Sequence, residues 1–249
     1  MSASDSGVAV VAPVYDNAAT LPALVERVRE ALAGRRWSLR LVVDGSPDDS
    51  LAVARRLASS DGRVRVTALA ANVGQHPALV RGLAEEAGAG AWVCIDADLQ
   101  DPPEAIPLLL DRLATGDVGA VFAGRRGAYE GRARLAGGRL HRVVLAALTG
   151  LPADAGAFVA LGPEARDVVV RLDPPSVVAA IGVSCVPVTS LPVPRSVRSH
   201  GRSSWTAAAR VRQSARTLAW TARARVRRSP RRRQVPPAAS SQRCTRTPA

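Results

Sequence analysis

In the first half of the chain, short and largely apolar runs keep ending in polar turns, and helical spacing follows most of them. The runs are Val8–Ala12, Leu39–Val43, Val64–Leu69, Ala91–Ile95 and Val118–Ala123. Runs of this length and character suit strands buried on both faces. Between them, Leu21, Leu24, Val25, Val28 and Leu32 recur on one helical face, with Thr20 placed to cap. Leu51, Ala54 and Leu57 follow Ser46-Pro47-Asp48-Asp49, where Ser46 is the expected N-cap and Pro47 the first helical residue. Asn72-Val73-Gly74-Gln75-His76 opens a third helix that turns Ala78, Leu79, Gly82 and Leu83 inward. Such alternation predicts an α/β chain, a mostly parallel sheet with helices on both faces. Ligands of these sheets bind at the carboxyl ends of the strands. Pro13, Asp44 and Asp96, each at a strand end, therefore frame a candidate nucleotide pocket.

The most chemically specific stretch is Ile95-Asp96-Ala97-Asp98-Leu99-Gln100-Asp101-Pro102-Pro103-Glu104. It sits between the fourth strand and a helix marked by Ile106, Leu109, Leu110 and Leu113. Alternation along extended backbone aims Asp96, Asp98 and Gln100 the same way. Two carboxylates and an amide oxygen suit a hard divalent cation, Mg2+ or Mn2+. Asp101-Pro102-Pro103-Glu104 has the form of a helix start, with Asp101 as N-cap and Glu104 closing a capping box.

A chain of 249 residues that is 47% hydrophobic holds one sizeable domain, and its 3% aromatic content leaves the core to Val, Leu, Ala and Ile. All 34 basic residues are Arg, so no single Arg is informative by type alone. The net charge of +13, weighted toward the carboxyl end, points to a polyanionic partner such as lipid headgroups or nucleic acid. Cys94, Cys185 and Cys244 lack metal or disulfide spacing, and Cys94 and Cys185 are expected to be core residues in a reducing compartment. Met1–Gly7 lacks the features of a signal peptide, and no uncharged apolar run reaches the ~18 residues of a membrane span.

Beyond Ala123 the regularity breaks. Gly124–Gly138, rich in Gly and Arg, reads as a mobile loop, and Arg139–Leu148 as a helix. Asp154-Ala155-Gly156-Ala157-Phe158 leads into a short strand, Pro163–Leu172 is expected to be helical and Val183–Val193 extended. A basic loop, Arg195–Ser204, precedes a final helix from about Trp205 to Trp220. From Ala222 onward the composition predicts a disordered, Arg-rich tail, so the expected organisation is a domain over 1–221 and a tail over 222–249.

Four pieces in order resemble family-2 glycosyltransferases of the GT-A fold, nearest the dolichol-phosphate mannosyltransferase-like and bacterial polyprenyl-phosphate sugar transferase branch. They are Pro13-Val14-Tyr15, Asp44-Gly45-Ser46-Pro47-Asp48, Asp96 to Glu104, and Arg198 through Gly201 to Ser203, with Asn72, Gly74, Ala78 and Gly82 also matching. The resemblance covers roughly Val8 to Trp220 and implies a metal-dependent, inverting sugar transfer from a nucleotide-diphosphate sugar, with polyprenyl phosphate as the leading acceptor. It implies a metal held by Asp96, Asp98 and Gln100. A donor site would comprise Pro13, Val14, Tyr15, Asn17, Asp44, Ser46, Asp96, Ala97, Asp98 and Gln100, with Arg125 and Arg198 on phosphates. Asp98, Arg125 and Arg198 are the implied catalytic residues. The chain departs from the family at Val43, where an acid is usual, at Asp16-Asn17 in place of Asn-Glu, and at Ser204 in place of Lys. The two membrane helices of many relatives are missing, so an anionic membrane surface or a separate membrane subunit is an expected partner, at the cytoplasmic face.

Other readings are weaker. A sugar nucleotidyltransferase would carry glycines and bases after the first strand, and Pro13–Thr20 has neither. A nucleic-acid-binding protein rests on the Arg tail alone and lacks the aromatics that stack bases. A transferase for a soluble or glycan acceptor, or a homologue that binds donor without turnover, remains the alternative. His76, His141 and His200 are expected to be structural or solvated.

Overall fold

The computed structural model describes residues 7–126, 143–195 and 207–228. In chain order it comprises β1 (Val8–Val14), α1 (Leu21–Ala31), β2 (Trp37–Asp44), α2 (Ser50–Ser60), β3 (Val64–Leu69) and α3 (Gln75–Glu85). There follow β4 (Ala91–Cys94), a 3-10 turn (Pro103–Ala105) running into α4 (Ile106–Leu113), β5 (Ala120–Arg126), β6 (Val159–Leu161) and α5 (Pro163–Leu172). The chain closes with α6 (Val177–Ser184), β7 (Val188–Pro194) and α7 (Ala207–Arg228). Residues 143–149 are also helical.

Among the described residues one seven-stranded sheet forms, in the order β3-β2-β1-β4-β6-β5-β7. β1 shows why it must be covered twice. Val8, Val10, Ala12 and Val14 enter one apolar cluster, and Ala9 and Val11 enter the other. The first cluster is closed by Leu21, Leu24, Val25 and Val28 of α1 and Ile106, Leu109 and Leu110 of α4; the second by residues of α3, α5 and α6. β1 pairs in parallel with β2 on one side and β4 on the other, so the chain reverses its direction of travel across the sheet at β1. The crevice at the carboxyl ends of β1 and β4 is thus the topological switch point, where such sheets bind ligands.

The mostly parallel α/β sheet agrees with the sequence expectation, with one antiparallel strand added. β6 lies between β4 and β5, Val93 opposite Ala160 and Val121 opposite Ala160 on its other edge. The expected extended segment over Val183–Val193 begins late, because Val177–Ser184 is a helix. That helix is buried nearly all round, from Val177 to Ile181 and at Val183, so its apolar run carries no helical period. Its signal is local: the Ser176 hydroxyl accepts from the Ala179 N–H. α2 begins at Ser50, not Pro47, and its N-cap Asp49 makes no side-chain cap bond. α7 runs to Arg228, past the expected boundary at 221/222, as its Ala and Arg content favours. The expected loop over 124–138 and helix over 139–148 fall partly outside the described residues, as do His141, His200, Cys244 and the tail beyond 228.

Cys94 is buried as expected, and burial pushes its thiol up to about 12. Cys185 is exposed, contrary to expectation, because it ends α6 in the left-handed conformation (φ 64°). Arg40 interrupts the apolar run of β2, and its guanidinium is met by Glu85 at 2.7 Å and by the buried Glu86 at 2.8 Å. A charge inside the layers is tolerated when paired in this way.

Helix α3 approaches the sheet through Gly82, where a Cβ would stand 2.4 Å from Val11 Cγ1 and 2.8 Å from Val42 Cγ2. Both valines are locked in the core, so neither can move aside. Gly82→Ala is expected to lower the unfolding free energy by about 1–3 kcal/mol, the range for overpacking, despite the better helix propensity of Ala. Gly88→Ala, with nothing within 4 Å, is expected to leave the urea midpoint unchanged. Equal midpoints for the two variants would show that the α3–sheet contact is looser than described.

Candidate functional site

Three loops meet at the switch point. The loop after β4 is anchored by Ile95 and Ala97, which are 1% and 2% exposed. The Thr20 hydroxyl donates to the Ala97 carbonyl at 2.7 Å, tying the loop to the start of α1. Thr20 therefore spends its side chain on this contact and makes no cap bond of its own to α1. After Asp98 the backbone turns. Leu99 is left-handed (φ 59°), and Asp98 Oδ1 accepts from the Gln100 N–H at 3.1 Å. The expected strand-like alternation through Gln100 is not extended backbone: β4 ends at Cys94, Ala97 and Asp98 already lie in a turn, and the Asp98–Gln100 bond tightens it. A left-handed Leu is uncommon, and such strain gathers at functional sites.

Around this loop the acids are engaged. Asp96 Oδ1 accepts from Gln75 Nε2 at the start of α3, and its Oδ2 lies 3.6 Å from an Arg195 terminal nitrogen. Arg195 Nε is 2.9 Å from Asp101 Oδ1, although its N–H is poorly aligned for a hydrogen bond there. Asp98 and Asp101 are 6% and 5% exposed. The helix start expected with Asp101 as N-cap is shifted by one residue. Pro102 holds the N-cap position without a side-chain bond, Asp101 faces Arg195, and Glu104 forms a two-pronged pair with Arg27 of α1, both contacts at 2.7 Å. Each of the two acids thus meets a cation supplied by another element.

The loops after β1 and β2 are stitched to each other. Ser46 Oγ accepts from the Asp16 N–H at 2.8 Å and donates to Asp48 Oδ1 at 2.6 Å, in place of its expected N-cap role. Asp48 Oδ2 accepts from the Ala18 N–H at 3.0 Å, and Ser50 Oγ accepts from the Asn17 N–H at 3.1 Å. Asn17 Oδ1 in turn accepts from the Tyr15 N–H at 3.3 Å. Burial pushes the Asp48 carboxyl up, but bonds from Ser46, Ser50 and the Ala18 and Ser50 N–H groups outweigh it and hold the group below the usual range. Asp44, 2% exposed, accepts from the Val73 and Gly74 N–H groups at 2.7 and 2.8 Å, shaping the approach to α3. Gly45 is required here: φ is +57°, and a Cβ would lie 2.5 Å from Asn72 N.

Of the residues expected at the site, Pro13, Tyr15, Asn17, Asp44, Ser46, Asp96, Ala97, Asp98 and Gln100 all lie on these adjoining strand ends and loops. Val14 and Ala97 are buried in the core, which leaves their backbone atoms to face a ligand. Arg125 lies in β5 opposite Val193, with its side chain outside what is described; Arg198 is outside the described residues altogether. His76 Nδ1 accepts from the Val177 N–H at 3.4 Å, a structural tether as expected. Gln75, Asp48 and Arg195 were missed. Gln75 and Asp48 stand within matching family segments, which is a usable signal, whereas an Arg at a strand end is no signal in so Arg-rich a chain.

Among the described residues no three His, Cys, Asp or Glu side chains are grouped as a ready metal cage. Mg2+ commonly takes only one or two protein carboxylates and completes its shell with water and substrate phosphates. Asp96 and Asp98 supply that oxygen-only donor set, and the guanidinium drawn against Asp96 and Asp101 shows that the cluster attracts a cation. The residues fit a hard divalent ion.

A family model described as glycosyl transferase family 2 matches residues 9–152. The undecaprenyl-phosphate 4-deoxy-4-formamido-L-arabinose transferase of Pseudomonas aeruginosa (strain LESB58) is 41% identical over 124 residues, 48% of this chain and 36% of the relative. Its namesake from Pectobacterium carotovorum subsp. carotovorum is 40% identical, over 48% of this chain and 38% of the relative. The match thus spans little more than a third of these curated relatives. Among solved structures, glucosyl-3-phosphoglycerate synthase from Mycobacterium tuberculosis with Mn2+, UDP and phosphoglyceric acid superposes with a TM-score of 0.66 at 21% identity, covering 88% of this chain and 78% of that one. The same enzyme with Mg2+ and UDP gives a TM-score of 0.60 at 20% identity, covering 88% and 79%. These likenesses establish the GT-A type of fold.

The depressed pKa of Asp48 sets a pH dependence. With its folded pKa below the ordinary value of 3.8, its stabilisation is complete above that value and is lost as pH falls through the folded pKa. Asp48→Asn is therefore expected to lower Tm at pH 7 and to converge on the wild type at the acid end. A Tm gap that is the same at pH 7 and at pH 2.5 would contradict the assignment.

Proposed function

The chain belongs to glycosyl transferase family 2, and from that premise we propose that it transfers a sugar from a nucleotide-diphosphate sugar to a polyprenyl phosphate, with Mg2+ or Mn2+ at Asp96 and Asp98. The observation that carries this reading is the acid-bearing loop after β4, set at the switch point and bonded to the loops of α1 and α3. Support for the acceptor comes from the curated relatives, which are named undecaprenyl-phosphate transferases. Because the match covers little more than a third of them, acceptor and sugar are readings to be tested.

In this reading the stitched loops of Tyr15, Asn17, Asp44 and Ser46 border the base and ribose, with Pro13 and the Val14 backbone beneath them. The divalent ion would neutralise charge building on the departing nucleoside diphosphate. Asp96 and Asp98 orient the donor through it, and the backbone at Ala97 and the Gln100 side chain complete that wall. Arg125 and Arg198 are assigned to phosphate oxygens, for which a guanidinium fork is well shaped. A lipid phosphate is already an anionic nucleophile. Its oxygen forms the new bond to the anomeric carbon as the bond to the diphosphate breaks, inverting the centre, and no strong base is needed. The structural use of His76 agrees with that economy.

The test is calorimetric titration of UDP- and GDP-sugars with and without Mn2+, followed by transfer assays on undecaprenyl phosphate. One donor is expected to bind only with metal, and Asp98→Ala is expected to weaken binding at least tenfold, about 1.4 kcal/mol or more. Absence of donor binding under every metal condition would overturn the catalytic reading. Donor binding with transfer to a soluble acceptor alone would overturn the lipid acceptor.

No described helix is long and apolar enough to cross a membrane. The exposed side of α7 carries Arg212, Arg216 and Arg223, and the helix has no acidic residue. We assign this side to an anionic leaflet at the cytoplasmic face, or to a membrane subunit seated there, where each basic residue near the surface adds about 1 kcal/mol. The chain is expected to co-sediment with anionic vesicles at low salt and to be released by Arg212→Glu/Arg216→Glu/Arg223→Glu. Unchanged sedimentation of that variant would remove α7 from the membrane contact.

A further inference from the structure

We propose that Arg195 is a built-in counter-cation of the acid cluster, which competes with a divalent ion for Asp96 and must turn away for that ion to bind. The inference rests on the metal reading of Asp96 and Asp98 given above. Arg195 follows the last residue of β7, and its side chain is only 12% exposed. It reaches across to the loop after β4, with a terminal nitrogen 3.6 Å from Asp96 Oδ2 and Nε 2.9 Å from Asp101 Oδ1. A second contact, from a terminal nitrogen to Asp101 Oδ2 at 3.5 Å, is at the limit of hydrogen bonding. The guanidinium thus bridges an expected metal ligand and a buried carboxylate that is not one.

Its geometry is that of a loosely held group. Nε is buried, yet it lacks a well-directed acceptor, and the contact to Asp96 is longer than a charge-assisted bond of ~2.8 Å. A guanidinium placed to be permanent would form the parallel fork that Arg27 forms with Glu104 in the same region, where both contacts are 2.7 Å. Asp101 explains why a cation is needed at all. It is 5% exposed, and a buried carboxylate without a partner is costly. Arg195 contributes positive charge to Asp101 and, at longer range, to Asp96. A divalent ion at Asp96 and Asp98 would be repelled by the guanidinium, so Arg195 must turn away from Asp96, keeping or leaving Asp101. Arg195 is therefore a positioning residue that sets the affinity for metal and keeps Asp96 in place until metal arrives.

The experiment is Mn2+ binding to the nucleotide-free chain, read from the electron paramagnetic resonance signal of free Mn2+, for wild type, Arg195→Gln and Arg195→Lys. Removing a positive charge beside the site is expected to tighten Mn2+ binding about tenfold in Arg195→Gln, while Arg195→Lys, which keeps the charge, stays near wild type. Arg195→Gln is also expected to melt lower than wild type in EDTA and to gain more in Tm from Mn2+ than the wild type does. Unchanged or weaker Mn2+ binding by Arg195→Gln would overturn the proposal, since a purely structural or a metal-assisting Arg would give that result. No Mn2+ binding by any of the three chains would overturn it together with the metal reading. Should Arg195→Gln not fold, the wild type decides: the Arg195 Nε–H resonance, assigned against Arg195→Lys, is expected to shift on saturation with Mg2+. A resonance that stays fixed would refute displacement.

Discussion

Burying carboxylates at one end of a sheet is the constraint around which this molecule is arranged. Asp44, Asp98 and Asp101 are each nearly excluded from water. A carboxylate in that position must be hydrogen-bonded or paired. Each meets the requirement differently. Asp44 takes two backbone N–H groups from the approach to α3, Asp98 takes the Gln100 N–H within its own turn, and Asp101 takes the guanidinium of Arg195. The donors come from separate elements, so satisfying the acids also fixes how the loops after β2, β3, β4 and β7 lie against one another.

The apolar layers make that arrangement rigid. Ile95 and Ala97 sink into the first cluster, so the residues between and beside them have only one way to face. Thr20 links the same loop to α1, and Arg27 with Glu104 repeats the link about two turns further along α1. That second pair is half-exposed and contributes little energy by itself, so its value lies in orientation. The β1 and β2 loops are locked by short polar side chains, Ser46, Asp48 and Ser50, whose acceptors meet the backbone N–H groups of Asp16, Ala18 and Asn17. Preorganisation of this kind lets a site engage a ligand without first paying to order its loops.

The fold was legible in the sequence wherever one physical signal dominated. Alternating apolar runs and helical faces marked β1 to β5 and α1 to α4, because each surface helix shows one apolar stripe. α6 hid because both of its sides are buried and its Val and Ile content imitates a strand. The short β6 was foreseen as a strand, but its antiparallel direction was not, since direction depends on what it inserts between. At the candidate site, Asp96 and Asp98 stand out in the sequence because they precede any capping position. Asp-Pro-Pro-Glu satisfies a local capping pattern, and that pattern gives no sign that Asp101 also faces Arg195, 94 residues away. Local rules rank local partners, and a buried acid takes a distant cation when one is available.

The charge balance of the site follows from these pairings. Among the described residues, the acids of the β4 loop face the guanidinium of Arg195. A nucleotide diphosphate approaching the same crevice would bring further negative charge toward Asp96 and Asp98. A divalent ion held there would supply the balancing charge, since hard ions of this kind take carboxylate and phosphate oxygens alike. An Arg that stayed on Asp96 would compete with the ion for the same oxygen, whereas an Arg free to leave can follow the negative charge to the phosphate side. Buried acids that draw a guanidinium from a distant strand end have the charge that a divalent ion would need, and the proposed exchange of Arg195 for that ion follows from the same electrostatics.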